Sequence, residues 1–194
     1  MSAPADQAAS ATVPGSILFV CTGNICRSPI GERILRGMAQ QFGMSVSSSS
    51  AGVGAMNGHA MHPYAAEVLD EHGYDASEFE SRYLRPPMLQ NADVVLCLTR
   101  KHRAAAQQLV PVRWKRIFTV TEFAELVELG AGAGLDEIVA SRSRVDTNSA
   151  HLDILDPMGR PKDDFERVFG EIEPKVAVVV DWLAQSAEKI RETK

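Results

Sequence analysis

Three cysteines in 194 residues are too few for a disulfide framework, so the fold must rest on its own core, and a reducing compartment, the cytoplasm, is the expected location. No apolar run approaches the roughly eighteen residues of a membrane span. Acidic residues outnumber basic ones by 25 to 20. The resulting net charge of −5 leaves no broad basic face for nucleic acid, and the basic run Arg113-Trp114-Lys115-Arg116 reads as a solvated edge before a strand. His59 and His62 have no cysteine or carboxylate cluster at metal-ligand spacing beside them, so neither metal nor cofactor is expected. Gly130–Gly134 lacks the Gly-x-Gly-x-x-Gly spacing of a nucleotide cradle. Residues 1–15, rich in Ala, Ser and Pro, have no basic start or apolar centre of a secretory signal and read as a disordered tail. The rest, 16–194, suffices for one domain with a proper core, expected to act as a monomer.

What is present alternates. Apolar runs at Ile17–Val20, Ala92–Leu98 and Arg116–Val120 predict strands, with a weaker, exposed one over Ser45–Ala51. Helical spacing predicts helices over Pro29–Phe42, from His62 or Pro63 to His72, and over Lys101–Leu109. Thr121 is placed to cap a further helix to Leu129, with no capping-box partner because Ala124 stands at the third position. Leu135–Ala140 suits a short helix between a glycine-rich joint and a long polar stretch. Asp163–Ile190 is helical, with Asp163 and Glu166 at capping-box spacing and Pro174 as a kink or break. Strands alternating with helices imply an α/β fold, a doubly wound parallel sheet whose ligands bind beyond the strand carboxyl ends.

Cys21-Thr22-Gly23-Asn24-Ile25-Cys26-Arg27-Ser28 follows the first strand at that end. Pro29 then favours a helix start, so backbone N–H groups and a helix's positive end converge near Cys21. Such surroundings bind a dianion and favour the thiolate, which is the nucleophile. The planar fork of Arg27 matches two phosphate oxygens, and the N–H groups from Thr22 to Ser28 complete a cradle. Ser28 can donate its hydroxyl to sulfur. Asn24 tolerates left-handed geometry and can brace the loop on its own backbone. Hydrolysis also needs an acid for the departing oxygen. Asp156, stiffened by Pro157, is the first candidate and Asp153 the rival, with Asp163 and Asp164 assigned to the last helix start.

The run Cys-Thr-Gly-Asn-Ile-Cys-Arg-Ser-Pro resembles the signature loop of the low-molecular-weight protein tyrosine phosphatases. Ser50-Ala51-Gly52, Asp93-Val94-Val95-Leu96 with Thr99-Arg100, and Asp156-Pro157 extend the resemblance over about residues 16–185. It implies a four-stranded parallel sheet flanked by helices and a metal-free, two-step hydrolysis of protein phosphotyrosine through phosphocysteine. Asp156 would be the acid, and the substrates would be phosphotyrosine proteins, a tyrosine kinase among them. The chain departs where the family often has an aromatic pair after Asp-Pro: Met158-Gly159 stand there. Met56, His59 and Met158 are the candidate substrate walls. Cys26 can pair reversibly with Cys21 against irreversible oxidation, whereas Cys97, inside a strand, reads as inert packing. An arsenate reductase on the same loop, or a noncatalytic phosphate-binding or phosphocarrier domain, are the alternatives. His102 and His151 have no assigned role.

Overall fold

A computed structural model describes residues 13–192. Strands β1 (Ser16–Cys21), β2 (Ser47–Gly52), β3 (Val94–Cys97) and β4 (Ile117–Thr119) form one parallel sheet in the order β2-β1-β3-β4. Around it lie α1 (Arg27–Gln41), α2 (Pro63–Glu71), α3 (Pro86–Asn91), α4 (Arg100–Leu109), α5 (Val120–Glu128), α6 (Leu135–Ala140) and α7 (Lys162–Glu192). The doubly wound architecture expected from the alternation is present. Along β1, Ile17, Phe19 and Cys21 join the core built with α1, α2, α5 and α7. Leu18 and Val20 point the other way, towards Leu89, Ala106 and Val110. The period of two in a strand thus feeds both faces. α1 sits close on the sheet, because a Cβ on Gly31 would lie 2.6 Å from the Phe19 ring.

Strand β1 is flanked by β2 on one side and β3 on the other. The chain leaves β1 in one direction and later returns to its opposite side, which opens a crevice beyond the carboxyl end of β1. Cys21 is the last residue of that strand.

Several expected boundaries shift, each for a visible reason. Residues 1–12 of the expected tail lie outside the described residues. Gly15 already belongs to the domain, since its N–H donates to Asp93 at 2.8 Å and its carbonyl accepts from Ser47 at 2.8 Å. α1 begins at Arg27 rather than Pro29. β2 is buried over its last three residues rather than exposed throughout. The cap of α5 is Thr119, not Thr121. Thr119 Oγ1 accepts from the N–H of Glu122 at 3.0 Å, and the Glu122 carboxylate accepts from the N–H of Thr119 at 3.1 Å, a full capping box two residues early. Glu166 does not box with Asp163, which lies inside the first turn of α7; it meets His72 at 3.1 Å.

α7 runs unbroken through Pro174. An interior proline costs about 3 kcal/mol, but buried Phe165, Val168, Phe169 and Ile172 precede it and Val176, Val179, Val180 and Leu183 follow. At about 1.5–3 kcal/mol per buried side chain, that stripe outweighs the proline. The glycine-rich joint is likewise pinned rather than loose. Trp182 Nε1 donates to Gly132 O at 3.2 Å, and Arg142, in the polar stretch beyond α6, donates to buried Glu122 at 2.5 Å and to Ile117 O at 2.6 Å. Among the described residues no helix is long and apolar enough to cross a membrane.

Candidate active site

The loop from Cys21 to Ser28 folds back on its own sulfur. Ser28 Oγ lies 2.9 Å from Cys21 Sγ, and the Asn24 N–H donates to the same sulfur at 3.3 Å. Asn24 carries φ +53°, the left-handed geometry its short polar side chain tolerates. Its brace is not its own backbone. The amide Nδ2 donates to Ser28 Oγ at 3.0 Å and to Ser50 Oγ at 2.7 Å, while Oδ1 accepts from the Arg82 N–H at 2.7 Å. Ser50 in turn donates to Glu32 at 2.5 Å. A chain of buried hydrogen bonds therefore runs Cys21–Ser28–Asn24–Ser50–Glu32 through three elements.

Gly52 makes the close approach possible. A Cβ there would sit 2.4 Å from Thr22 O and 2.8 Å from Asn24 N, both backbone atoms. Because α1 begins at Arg27, the N–H groups of Arg27 and Ser28 fall in its first turn, where no helical carbonyl is available to them.

Arg27 is buried, yet its fork reaches across to the late loop. Nη1 donates to Ile154 O at 3.0 Å and Nη2 to Asp156 Oδ2 at 2.5 Å. Its Nε has no hydrogen-bond partner. The late loop is anchored next to this contact: the Ile154 N–H donates to Leu98 O at 2.9 Å, and Arg100 grips Asp153 through its backbone N–H at 2.6 Å and through Nη2 at 2.8 Å. Arg100 holds the Asp153 carboxyl below its ordinary range. The rival acid is thus an anchor, and Asp156, about half exposed, is the carboxylate facing the loop.

His102, unassigned from the sequence, is a buried member of the site. Its Nε2 lies 2.9 Å from Thr22 Oγ1. Burial, and after it the Arg27 charge, lower its pKa to about 4, so the imidazole is neutral near pH 7. The parallel-sheet rule could have found it, since the first turn of a helix following β3 must lie beside the loop following β1. Cys26 is buried, and burial followed by the Cys21 and Asp156 charges pushes its thiol up to about 12. Cys97 is wholly buried and its thiol is raised further by desolvation.

The wall candidates sit at the surface. Met56 and His59 are exposed on a loop tied to Ser81, whose hydroxyl donates to Met56 O at 2.5 Å and accepts from the His59 N–H at 3.0 Å. Met158 is partly exposed, and its N–H donates to Asp156 Oδ1 at 3.2 Å. Tyr64, overlooked in the sequence, is partly exposed beside His62, whose N–H donates to Ile25 O at 2.8 Å. His62 itself stacks on Phe165 at 4.6 Å. Among the described residues no three His, Cys, Asp or Glu side chains are grouped to hold a metal.

Fold and loop together define a class, the cysteine-dependent phosphatases built on a parallel α/β sheet. Residues 16–136 match the family described as low molecular weight phosphotyrosine protein phosphatase, and the chain belongs to it. It is 33% identical over 159 residues to the low molecular weight protein-tyrosine-phosphatase Etp of Escherichia coli K12, covering 81% of this chain and 87% of Etp. It is 29% identical over 178 residues to a protein-arginine-phosphatase of Bacillus subtilis 168, covering 92% and 98%. The crystal structure of a low molecular weight protein tyrosine phosphatase from T. tengcongensis superposes with a TM-score of 0.70 at 29% identity, covering 86% of this chain and 97% of that one.

Proposed function

We propose that this phosphatase hydrolyses phosphotyrosine in proteins through a phosphocysteine, with Cys21, Arg27 and Asp156 in the three working roles. The observation that carries the assignment is the Arg27 fork. It is buried, has a free Nε, and spans from the Cys21 loop to Asp156. A guanidinium so placed lacks an acceptor that an oxyanion supplies.

In the first step a phosphate dianion takes up the Arg27 donors and the loop N–H groups from Thr22 to Ser28, Gly23, Ile25 and Cys26 included, apart from that of Asn24, which donates to the Cys21 sulfur. It displaces Asp156, and the negative charge it brings favours proton uptake by the displaced carboxylate. The Cys21 thiolate attacks phosphorus, the P–O ester bond breaks, and Asp156 hands its proton to the departing phenolate. In the second step Asp156, now a carboxylate, removes a proton from water as that water attacks phosphorus. The S–P bond breaks, inorganic phosphate leaves, and the Ser28 hydroxyl donates to the sulfur as it regains its charge. Neutral His102 holds Thr22 without adding a competing cation.

Met158, Met56, His59 and Tyr64 form the walls that meet the leaving group; methionine contacts aromatic rings well. The phosphotyrosine proteins it serves include a tyrosine kinase, and the reducing cytoplasm suits its three unpaired thiols. A cysteine-relay arsenate reductase is disfavoured, because the distal Cys97 is sealed in β3. Cys26 remains the partner for an oxidised Cys21: peroxide should yield a Cys21–Cys26 bond by mass spectrometry, and sulfonic acid alone would exclude it.

The test is hydrolysis of p-nitrophenyl phosphate in chelator, with Cys21→Ser inactive; full activity in that variant refutes the assignment. A Cys21→Ser trap offered matched phosphotyrosine and phosphoarginine peptides then decides the substrate. Retention of only the phosphoarginine peptide refutes the tyrosine reading.

A further inference from the structure

Beside the buried hydrogen-bond chain, where α1 meets the edge of β2 and the segment 76–82, lies an open cavity of about 790 Å³. Arg33 lines it. This residue is 4% exposed, yet its Nε has no hydrogen-bond partner. The nearest carboxylate oxygen, on Glu32, is 4.0 Å away, and that carboxylate is already engaged by Ser50 at 2.5 Å and by Arg36 at 2.8 Å. The Phe79 ring, 5.7 Å from the guanidinium carbon, covers one side without offering an acceptor of hydrogen-bond strength. Burial, and next the Arg36 charge, lower the Arg33 pKa from the ordinary guanidinium value. A buried planar cation with idle donors is costly unless an acceptor completes it.

We propose that this cavity is a second anion site, separate from the Cys21 loop, in which Arg33 and the half-exposed Arg36 hold one phosphate-type group. Phe79 and Met61 give the rest of the ligand an apolar wall. Exposed Glu78 and Glu80 also line the cavity and repel additional negative charge. The fitting ligand is therefore a phosphate monoester with a neutral or cationic remainder, not a polyphosphate. Arg36 holds Glu32, the last member of the buried hydrogen-bond chain that begins at Cys21.

Inorganic phosphate is the probe. Equilibrium dialysis of the full chain should find two phosphates bound per chain, and the Arg33 Nε–H resonance in a ¹⁵N–¹H spectrum should move as phosphate is added. Arg33→Met keeps the chain length and removes the charge. It should bind one phosphate, and its competitive inhibition constant for phosphate should stay within about twofold of the parent. Should Arg33→Met fail to fold, Arg36→Gln serves the same count, with the second site weakened at least about tenfold. One phosphate per chain in the wild type, with an unmoved Arg33 resonance, overturns the proposal. Because Arg33 is read directly, a failure of phosphate to inhibit turnover would count against the Cys21 loop assignment and not against this site.

Discussion

Replacing Asp156 by alanine should change catalysis and anion binding in opposite directions. A positioned general acid contributes about 10²–10⁴ in rate, which is about 3–5 kcal/mol of barrier. Phenyl phosphate, whose leaving group has a pKa near 10, should lose that much in kcat/KM, which reports the ester-cleaving step alone. p-Nitrophenyl phosphate should lose much less in kcat/KM, because its leaving group departs without a proton, while kcat falls on both esters to the extent that the shared phosphocysteine hydrolysis limits turnover. The same carboxylate holds Arg27 at 2.5 Å, and in the proposed mechanism a bound phosphate displaces it. Arg27 is buried but Asp156 is 46% exposed, so solvent screening limits the pair to about 1 kcal/mol. Releasing Arg27 should therefore tighten inorganic phosphate by about fivefold, while thermal stability stays within a few degrees. Steady-state kinetics on both esters, with phosphate as competitive inhibitor, measures every term. A kcat/KM loss below about tenfold on phenyl phosphate, or phosphate bound more weakly, would refute the reasoning.

Gly52→Ala should shift the loop by some part of an ångström, since the new Cβ meets backbone at Thr22 and Asn24. A loss of about 10² in kcat/KM with an unchanged circular dichroism spectrum is expected, and near-parental activity would show that the loop yields. Glu122→Ala strands Arg103 and Arg142, which hold that wholly buried carboxylate at 2.6 and 2.5 Å. Urea unfolding should record a loss of about 3–5 kcal/mol; a loss below about 1 kcal/mol would make the pairs ornamental. His102 titrates from 6.5 unfolded to about 4 folded, so between those values the unfolded chain binds the extra proton. Its contribution is intact above pH 6.5 and falls as pH drops towards 4, by about 3 kcal/mol in all. His102→Gln should flatten that part of the stability profile, and an unchanged slope in the variant would discount the histidine.

The proposed nucleophile and its arginine were legible because they are neighbours in the chain. Strand, loop and helix follow one another without interruption from Ile17 to Met38, so local rules place Cys21 and Arg27 on one loop. The parallel order of the sheet was legible for a similar reason, since apolar runs alternating with helical periods admit few other packings. Asp156 was only half legible. Asp153 has the same chemistry three residues earlier, and what separates them is Arg100, bonded across 53 positions. Thr119 and Thr121 compete for one cap in the same way, and the two arginines that hold buried Glu122 favour the earlier one.

Short-range periodicity and chain direction were enough to place the Cys21–Ser28 loop, the parallel α/β sheet and the end of that sheet from which the loop springs. Only the packing of distant segments settles which carboxylate meets Arg27 across 129 positions, that His102 supports Thr22, and that the buried Nε of Arg33 has no hydrogen-bond partner. Those outcomes depend on which surfaces the crossovers bring together, and side-chain spacing along the chain carries no record of that.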